Sequence, residues 1–162
     1  MINNIILDTT FILPLFGIEI LLTPNFENEI KSLWKNGHED FQVYLPSVCL
    51  IETVYKLNRA FRKKNDMDIL RRYYQILPTV ITSKIVKIYH PHLDPTASKI
   101  ALLIKKEKHD DLMDCWIAAT ATVLNGYLLT EDVPLKKILR TIPETRNVVC
   151  WSWKDLQEFL NK

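Results

Sequence analysis

Residues 111–132, with the sequence DLMDCWIAATATVLNGYLLTED, carry the clearest structural pattern in the chain. Residues 111–125 are rich in alanine and predict a helix, which Gly126 ends at the C′ position. The apolar run YLLT at residues 127–130 then predicts a short buried strand. This part of the chain therefore predicts one helix that leads directly into one strand of a sheet.

The rest of the chain repeats this alternation of strand and helix. Apolar runs predict four more strands, at residues 4–8, 41–45, 84–90 and 147–151. Helices are predicted at residues 9–22, 25–36, 66–77, 94–108 and 134–140, and from Ser47 and Ser152 onward. Strands separated by helices indicate a parallel sheet with helices on both faces. We predict a three-layer α/β/α fold of one domain over residues 1–162, with a central parallel sheet of about five strands.

Local signals fix the predicted helix ends. Gly37 gives a stop signal after the helix at residues 25–36, and Pro78 is predicted to close the helix at residues 66–77. Ser47 is predicted to cap the helix that follows it, and Ser152 to cap the last helix. The apolar side of the helix after Ser47 is predicted to consist of Ile51, Val54, Tyr55 and Leu57.

Glycine is unusually scarce, and this scarcity excludes whole classes of protein. The 162 residues include only three glycines, Gly17, Gly37 and Gly126, where average usage near 7% would give about eleven. A Walker A loop needs two glycines spaced by four residues before a lysine, and a dinucleotide-binding loop needs three glycines close together. The chain cannot form either loop, so any chemistry on phosphates must use another kind of phosphate-binding site. The net charge of +2 neither demands nor forbids nucleic acid.

Other features point to a protein of the cytoplasm. Asp8 and Pro14 interrupt the longest apolar stretch, and no stretch reaches the ~18 apolar residues of a membrane span. The N-terminal sequence MINNIILD has no basic region, so we expect no signal peptide. The three cysteines are odd in number and form no CxxC motif, which disfavours structural zinc and a disulfide framework. We expect reduced thiols.

Four carboxylates fall near predicted strand ends or in early helix turns: Asp8, Glu52, Asp114 and Asp132. In parallel α/β sheets, ligands bind outside the carboxyl ends of the strands, so these side chains are candidates for one site. Clustered carboxylates repel one another unless a cation neutralises them, and oxygen ligands without His or Cys suit Mg²⁺ or Mn²⁺. Such a site performs metal-assisted hydrolysis of phosphodiesters. The hydroxyls of Thr10 and Thr130 are candidates to orient carboxylates or metal-bound water.

Each of these acids also has a purely structural interpretation. An Asp at a strand end or in a first helical turn often only caps the helix or interacts with its dipole. Glu52 carries more weight because it lies in the apolar stretch SVCLIETVYKL, where an unpaired carboxylate is costly. Asp110 and Asp111 are predicted to cap the following helix, and Glu131 is predicted to face solvent.

Four basic residues extend the helix that bears Glu52: Arg59, Arg62, Lys63 and Lys64. They are candidates to bind the phosphates on either side of a cleavage site. The alternative interpretation is a solvated helix face without a binding role.

Three segments of the chain together resemble the PIN domain family. The opening IILDTTFIL resembles the start of PIN domains, where a hydrophobic strand ends in Asp-Thr-Ser/Thr. LPSVCLIETVYKL is similar to the family's second element, a strand running into a helix that carries a Glu. The stretch from Asp111 to Asp132 is similar to the segment in which an Asp precedes an Ile-Ala-Ala helix, a short turn, a strand and Thr-x-Asp. The order and spacing of the three segments, over residues 4–132, make the resemblance specific.

The resemblance implies a ribonuclease that depends on Mg²⁺ or Mn²⁺, often the toxin of a VapBC-type toxin–antitoxin pair. By the family's pattern, Asp8, Glu52, Asp114 and Asp132 match its acidic, metal-binding quartet, and Thr10 and Thr130 match its supporting hydroxyls. The implied partners are an RNA substrate, a small antitoxin protein and a second copy of the chain in a homodimer. Residues 58–108 contain no motif that aligns with the family, so no role is carried over to them.

Other functions compete with a toxin ribonuclease. A PIN nuclease of RNA processing would carry the same quartet. A PIN-like binding or scaffold module without catalysis has no reason to bear the repulsion of four clustered acids. A receiver domain needs an acidic pair after its first strand and an Asp at the end of a mid-chain strand, and neither is present. Phosphatases with an Asp-x-Asp nucleophile pair are excluded because position 10 is Thr.

Overall fold

The computed structural model describes residues 3–160, and its centre is a sheet of five strands. The strands are β1 (Asn3–Leu7), β2 (Phe41–Pro46), β3 (Val86–Tyr89), β4 (Tyr127–Leu129) and β5 (Cys150–Trp151). All neighbours pair in parallel, in the order β3-β2-β1-β4-β5. β3 and β5 are shorter than the predicted strands. The predicted domain over residues 1–162 extends beyond the described range, and its being a single domain stays a prediction.

Seven α-helices within residues 3–160 accompany the sheet. They are α1 (Phe26–Asn36), α2 (Val48–Lys64), α3 (Met67–Ile81), α4 (Pro95–Lys106), α5 (Leu112–Val123), α6 (Val133–Thr141) and α7 (Trp153–Leu160). The predicted α/β/α fold with a parallel sheet is thereby confirmed. None of the helices in the described range combines the length and the apolar character needed to cross a membrane.

The order of the strands reverses at β1. The chain moves from β1 through β2 to β3 at one edge, and then crosses to β4 and β5 on the other side. Open parallel sheets bind ligands in the crevice beyond the carboxyl ends of the strands at such a point. Here that crevice lies beyond Leu7 of β1 and Leu129 of β4, which are partners in the register of the two strands.

The middle of the sheet is apolar on both faces. Ile5, Ile6 and Leu7 of β1 are each no more than 1% exposed, and Leu128 and Leu129 of β4 are fully buried. Consecutive side chains of a strand point to opposite faces, so burial of consecutive residues means that both faces are covered. This packed centre fixes the positions of the residues that follow β1 and β4.

The segment after β1 differs from the predicted helix over residues 9–22. It forms two short 3₁₀ turns, Thr9–Phe11 and Leu13–Phe16, and Gly17 ends the second turn with a left-handed φ of 74°. A longer helix is not formed because Pro14 has no N–H to donate and Gly17 favours a stop. Most apolar side chains of both turns are buried, so this segment contributes to the core.

Helix α2 buries a different side from the predicted one. Of the four residues predicted to be on its apolar side, only Leu57 is buried. The other three are partly exposed: Ile51 (46%), Val54 (40%) and Tyr55 (66%). The buried side instead includes Cys49, Thr53 and Leu57, which are spaced four residues apart. The prediction was wrong because apolar residues occur on nearly every side of this helix, so periodicity alone did not single out the inner one.

The two predicted serine caps have different outcomes. Ser47 precedes α2, but its backbone is already helical (φ −60°, ψ −23°) and its side chain makes no capping hydrogen bond. An N-cap side chain normally needs an extended backbone to reach the first N–H groups of the helix, which explains this failure. Ser152 is confirmed as a cap, because its Oγ accepts a hydrogen bond of 3.2 Å from the N–H of Asp155.

Two helix ends also differ from their predictions. Helix α3 continues through Pro78 to Ile81, because Val80 beyond the proline is buried and holds the last turn in place. After α5, the left-handed residue is Asn125, with φ of 47°, rather than Gly126. Gly126 is required by packing instead, since a Cβ there would clash with Cδ1 of Ile6 and would lie 2.9 Å from the carbonyl oxygen of Asn4.

Candidate active site

The fold brings the four predicted carboxylates to one pocket of about 210 Å³. Asp8 follows β1, Asp132 lies just beyond β4, Asp114 is in the first turn of α5 and Glu52 is in the second turn of α2. The pocket lies at the carboxyl ends of β1 and β4, where the strand order predicts it. Four further residues line it: Thr9, Thr10, Lys56 and Asp111.

Asp8 is the most deeply placed of the four acids. Its Oδ1 accepts a hydrogen bond of 2.7 Å from the N–H of Thr10, and its carboxylate also interacts with the hydroxyls of Thr10 and Thr130. Burial raises the pKa of Asp8 to about 7, an increase that these hydrogen bonds reduce and the charge of Asp114 reinforces. Thr130 also accepts a bond of 3.1 Å from the N–H of Asp132, so it links two acids of the pocket.

Burial disfavours the charged form of Asp114, as it does for Asp8. Burial raises the pKa of its carboxyl group to about 6, and the charges of Asp111 and Glu52 add to the increase. A hydrogen bond with His109 acts in the opposite direction, because it favours the charged carboxylate. Both raised pKa values mean that the negative charges of this pocket are under-compensated by the protein alone.

Glu52 is the best compensated of the four acids. Its Oε2 accepts a hydrogen bond from the hydroxyl of Thr9, and its Oε1 forms an ion pair of 3.0 Å with Nζ of Lys56, one turn later on α2. The costly unpaired carboxylate that the sequence suggests is therefore avoided by two neighbours. Thr9 and Lys56 were both missed at the sequence level, although each is adjacent to a predicted site residue in sequence or one turn away.

Asp132 both caps a helix and lines the pocket. Its Oδ1 accepts a bond of 2.7 Å from the N–H of Leu135 and so caps α6, while its Oδ2 lies 4.0 Å from Nε2 of His109. Asp111 caps α5 through the N–H of Met113, as predicted. The prediction for Asp110 is wrong, because Asp111 is the N-cap of that helix.

The prediction for Glu131 is also wrong. The residue was predicted to face solvent, but its Oε1 accepts a hydrogen bond of 2.6 Å from the N–H of Trp153 at the start of α7. The parallel pairing of β4 with β5 places the end of β4 beside the start of α7. The first N–H groups of a helix have no partner within the helix, and Glu131 accepts a hydrogen bond from one of them.

Sequence reasoning missed His109, which lies beside the pocket, next to Asp114 and Asp132. The residue is 7% exposed, and its Nε2 lies 3.1 Å from Oδ2 of Asp114. The ligand atoms of His109, Asp114 and Asp132 all lie within 4.8 Å of one another. The only signal in the sequence is that His109 stands five residues before Asp114 in the same short stretch.

The predicted basic residues lie on the second half of α2 and are all exposed. Helical spacing separates them into two sets. Arg59 and Lys63 follow Glu52 by seven and eleven residues and so lie on its face of the helix, together with Lys56. Arg62 and Lys64 are turned away from that face. None of the four forms an ion pair with another side chain in the range that the structure describes.

The donor set fits a divalent cation. The carboxylates of Asp8 and Asp114 are largely buried, their pKa values are raised, and they face a pocket lined mainly by oxygen atoms. A bound cation would favour the charged form of both groups, which the protein alone does not fully stabilise.

Fold and pocket define the class of protein: a parallel α/β domain with an acidic site at the carboxyl edge of its sheet. The family model of the PIN domain matches residues 5–139. This chain therefore belongs to the PIN domain family.

Two solved structures share the fold. The first is VapBC2 from Rickettsia felis bound to a DNA fragment from their promoter, with 17% sequence identity, a TM-score of 0.55, and coverage of 93% of this chain and 98% of that chain. The second is FitAB bound to the IR36 DNA fragment, with 20% identity, a TM-score of 0.55, and coverage of 91% of this chain and 94% of that chain. Among curated protein sequences, none matches this chain significantly.

Proposed function

We propose that this protein is an endoribonuclease that hydrolyses RNA phosphodiester bonds through Asp8, Glu52, Asp114 and Asp132. The observation that carries the proposal is the meeting of four acids from separate parts of the chain in one pocket, two of them with raised pKa values. Stability alone does not account for this arrangement, because buried carboxylates without full compensation destabilise a fold. Membership of the PIN family supports the same function.

The four carboxylates would hold Mg²⁺ or Mn²⁺ in this function. The cation would supply the positive charge that a phosphodiester needs when it is attacked by water. Thr10 and Thr130 would hold Asp8 in place through the hydrogen bonds already described, and Thr9 and Lys56 would do the same for Glu52. These contacts act as the supporting shell that fixes the direction of a ligand.

An RNA strand has a matching basic surface beside the pocket. We name Lys56, Arg59 and Lys63 the basic stripe of α2, because they continue along the face that bears Glu52. Arg59 and Lys63 lie about 10 Å and about 16 Å from Glu52 along the helix axis. Positive charges at these distances support contacts with phosphates beyond the one that is cleaved. Arg62 and Lys64 are less suited to this role.

The biological role that we propose is that of the toxin in a toxin–antitoxin pair of the cytoplasm. The two similar structures are the VapBC2 and FitAB assemblies, which supports a small antitoxin protein as partner. Exposed apolar side chains on α2 and α3 offer such a partner a surface: Ile51, Val54, Tyr55, Met67, Tyr74 and Ile81. A homodimer remains a further prediction. RNA processing by the same nuclease site is the second candidate role, and it needs no antitoxin.

The test of the proposed activity is the variant Asp8→Asn. We expect the purified variant to cleave RNA in Mg²⁺ or Mn²⁺ at least about 10³-fold more slowly than the wild type, because a cation ligand worth several kcal/mol is lost. Cleavage is measured on labelled RNA under single-turnover conditions. Asp110→Asn is the matched control, since Asp110 is exposed and does not line the pocket. Full activity in Asp8→Asn, or equal losses in both variants, would refute the assignment.

A further inference from the structure

His109 places an imidazole nitrogen beside a pocket lined mainly by residues with carboxylate or hydroxyl oxygens. Its Nε2 lies 3.1 Å from Oδ2 of Asp114 and 4.0 Å from Oδ2 of Asp132. First-row divalent cations bind nitrogen and oxygen ligands at about 2.0–2.2 Å, so neighbouring ligands of one cation lie roughly 3 Å apart. The distance between His109 and Asp114 matches this spacing, and the three ligand atoms all lie within 4.8 Å of one another.

The loop that carries His109 is held in a defined conformation. It connects α4 to α5, and Lys108 within it adopts a left-handed φ of 67°, a conformation that is unfavourable for a residue other than glycine. Nζ of Lys105 donates hydrogen bonds to the carbonyl oxygens of His109 (3.1 Å) and Asp110 (2.7 Å). These two bonds fix the two peptide groups that follow His109. Contacts outside the pocket thus help to hold the imidazole beside Asp114 and Asp132.

A hydrogen bond from His109 to Asp114 alone does not account for the second carboxylate near the imidazole. Such a bond would involve only one of the two carboxylates, whereas Nε2 faces an oxygen of each. Asp132 uses its other oxygen to cap α6, so the oxygen near His109 is the one that remains available to a ligand. The imidazole nitrogen thus has a carboxylate oxygen of Asp114 and an available oxygen of Asp132 close to it.

We propose that Nε2 of His109 is a ligand of the pocket's divalent cation, together with Asp114 and Asp132, and that it makes the site prefer Mn²⁺ to Mg²⁺. This proposal depends on the proposed function in one respect: both require that the acidic pocket holds the cation. Mg²⁺ takes oxygen ligands almost exclusively, whereas imidazole nitrogen binds first-row transition metals well. A nitrogen ligand therefore selects against Mg²⁺ in a way that four carboxylates do not.

The direct test needs no substitution. Wild-type protein is prepared with histidine labelled with ¹⁵N, loaded with Mn²⁺ alone, and studied by pulsed electron paramagnetic resonance. We expect a ¹⁵N coupling from a directly bound imidazole, which changes to the ¹⁴N pattern in protein with unlabelled histidine. Bound Mn²⁺ without any histidine coupling would overturn the proposal and leave His109 as a hydrogen-bond partner of Asp114.

Substitution then identifies the histidine. In His109→Gln we expect the coupling to vanish and the affinity for Mn²⁺, measured by calorimetry, to fall about tenfold or more, while the affinity for Mg²⁺ changes less than about twofold. His90→Gln is the matched control, because His90 is exposed and does not belong to the group around Asp114. A coupling that survives in His109→Gln, or equal losses for both cations, would contradict the proposal.

Failure of this proposal can be distinguished from failure of the proposed function. A histidine coupling in a protein that does not cleave RNA would refute the nuclease and leave the nitrogen ligand in place. Cleavage that depends on Asp8 but occurs with no histidine coupling would refute the nitrogen ligand alone.

Discussion

The acidic pocket and the basic stripe of α2 lie side by side but are built in opposite ways. The acids are buried or half-buried and are tied to the backbone and to threonine hydroxyls, and two of their pKa values are raised. The basic side chains lie along an exposed helix face, and only Lys56 of the stripe has an ion-pair partner in the described range. The pocket therefore carries a cost in stability, whereas the exposed side chains of the stripe carry no such cost. We expect changes in the pocket, including its Lys56, to alter chemistry, and changes at Arg59 and Lys63 to alter only binding.

The largest expected effect separates two roles of one residue in the pocket. Asp132→Asn keeps a good cap for α6, because Asn caps helices as well as Asp does, but it removes the negative charge. We expect cleavage to fall about 10³-fold while the melting temperature stays within about 2 °C of the wild type. Cleavage assays and thermal unfolding measure the two quantities. Nearly normal cleavage in Asp132→Asn would reduce this residue to a helix cap.

A second prediction concerns the cost of the buried charges. In the absence of divalent cations, the raised pKa of Asp8, about 7, means that the folded state holds more protons than the unfolded state between about pH 4 and pH 7. The free energy of unfolding should therefore decrease as the pH rises through this range. We expect Asp8→Asn to remove much of this decrease and to melt roughly 5 °C higher than the wild type at pH 8.

Thermal unfolding in a chelator at pH 5 and pH 8 measures this difference. Mn²⁺ added at pH 8 should raise the melting temperature of the wild type much more than that of Asp8→Asn. If both proteins lose stability equally between the two pH values, the ionisation of buried Asp8 is not the cause of the loss.

A third prediction concerns the basic stripe. The double variant Arg59→Ala/Lys63→Ala should bind RNA about tenfold more weakly and reduce the slope of log affinity against log salt by about 2, one for each phosphate contact. Binding is measured by fluorescence anisotropy with the inactive Asp8→Asn protein as background. Arg62→Ala/Lys64→Ala is the matched control, with the same change in charge on another side of α2, and should weaken binding less than about threefold. Equal effects of the two pairs would show that only net charge matters.

The smallest effect is expected on the exposed apolar side of α2. Tyr55 is 66% exposed, so Tyr55→Lys should change the free energy of unfolding by no more than about 0.5 kcal/mol and should leave RNA cleavage unchanged. Chemical denaturation and the cleavage assay measure these quantities. A large loss of stability would mean that Tyr55 is part of the core, as the sequence pattern had suggested.

Sequence reasoning succeeded where a single local signal decides the structure. The apolar runs at β1, β2 and β4 predict buried strands, and Asp8 and Asp132 could be proposed as neighbours because each follows one of these strands. Asp114 and Glu52 could be placed near them because each lies early in a helix that flanks the sheet. All four acids meet in the pocket for these reasons.

It failed where tertiary contacts decide. The inner side of α2 is selected by the sheet and by α5, because the helix has apolar residues on nearly every side. His109 is held beside Asp114 and Asp132 by a loop with a left-handed Lys108 and hydrogen bonds from Lys105, and neither feature follows from periodicity. The segment after β1 contains a proline and a glycine whose combined effect, two 3₁₀ turns, was underestimated.

The central claim is that the acidic pocket acts on RNA only through a divalent cation. The most direct measurement is RNA cleavage by the wild-type protein after complete chelation, followed by graded addition of Mg²⁺ or Mn²⁺. The account predicts no cleavage in the chelator and a saturable recovery with either cation, which Asp8→Asn does not show. Cleavage by the wild type in the chelator, or the same recovery in Asp8→Asn, would contradict it.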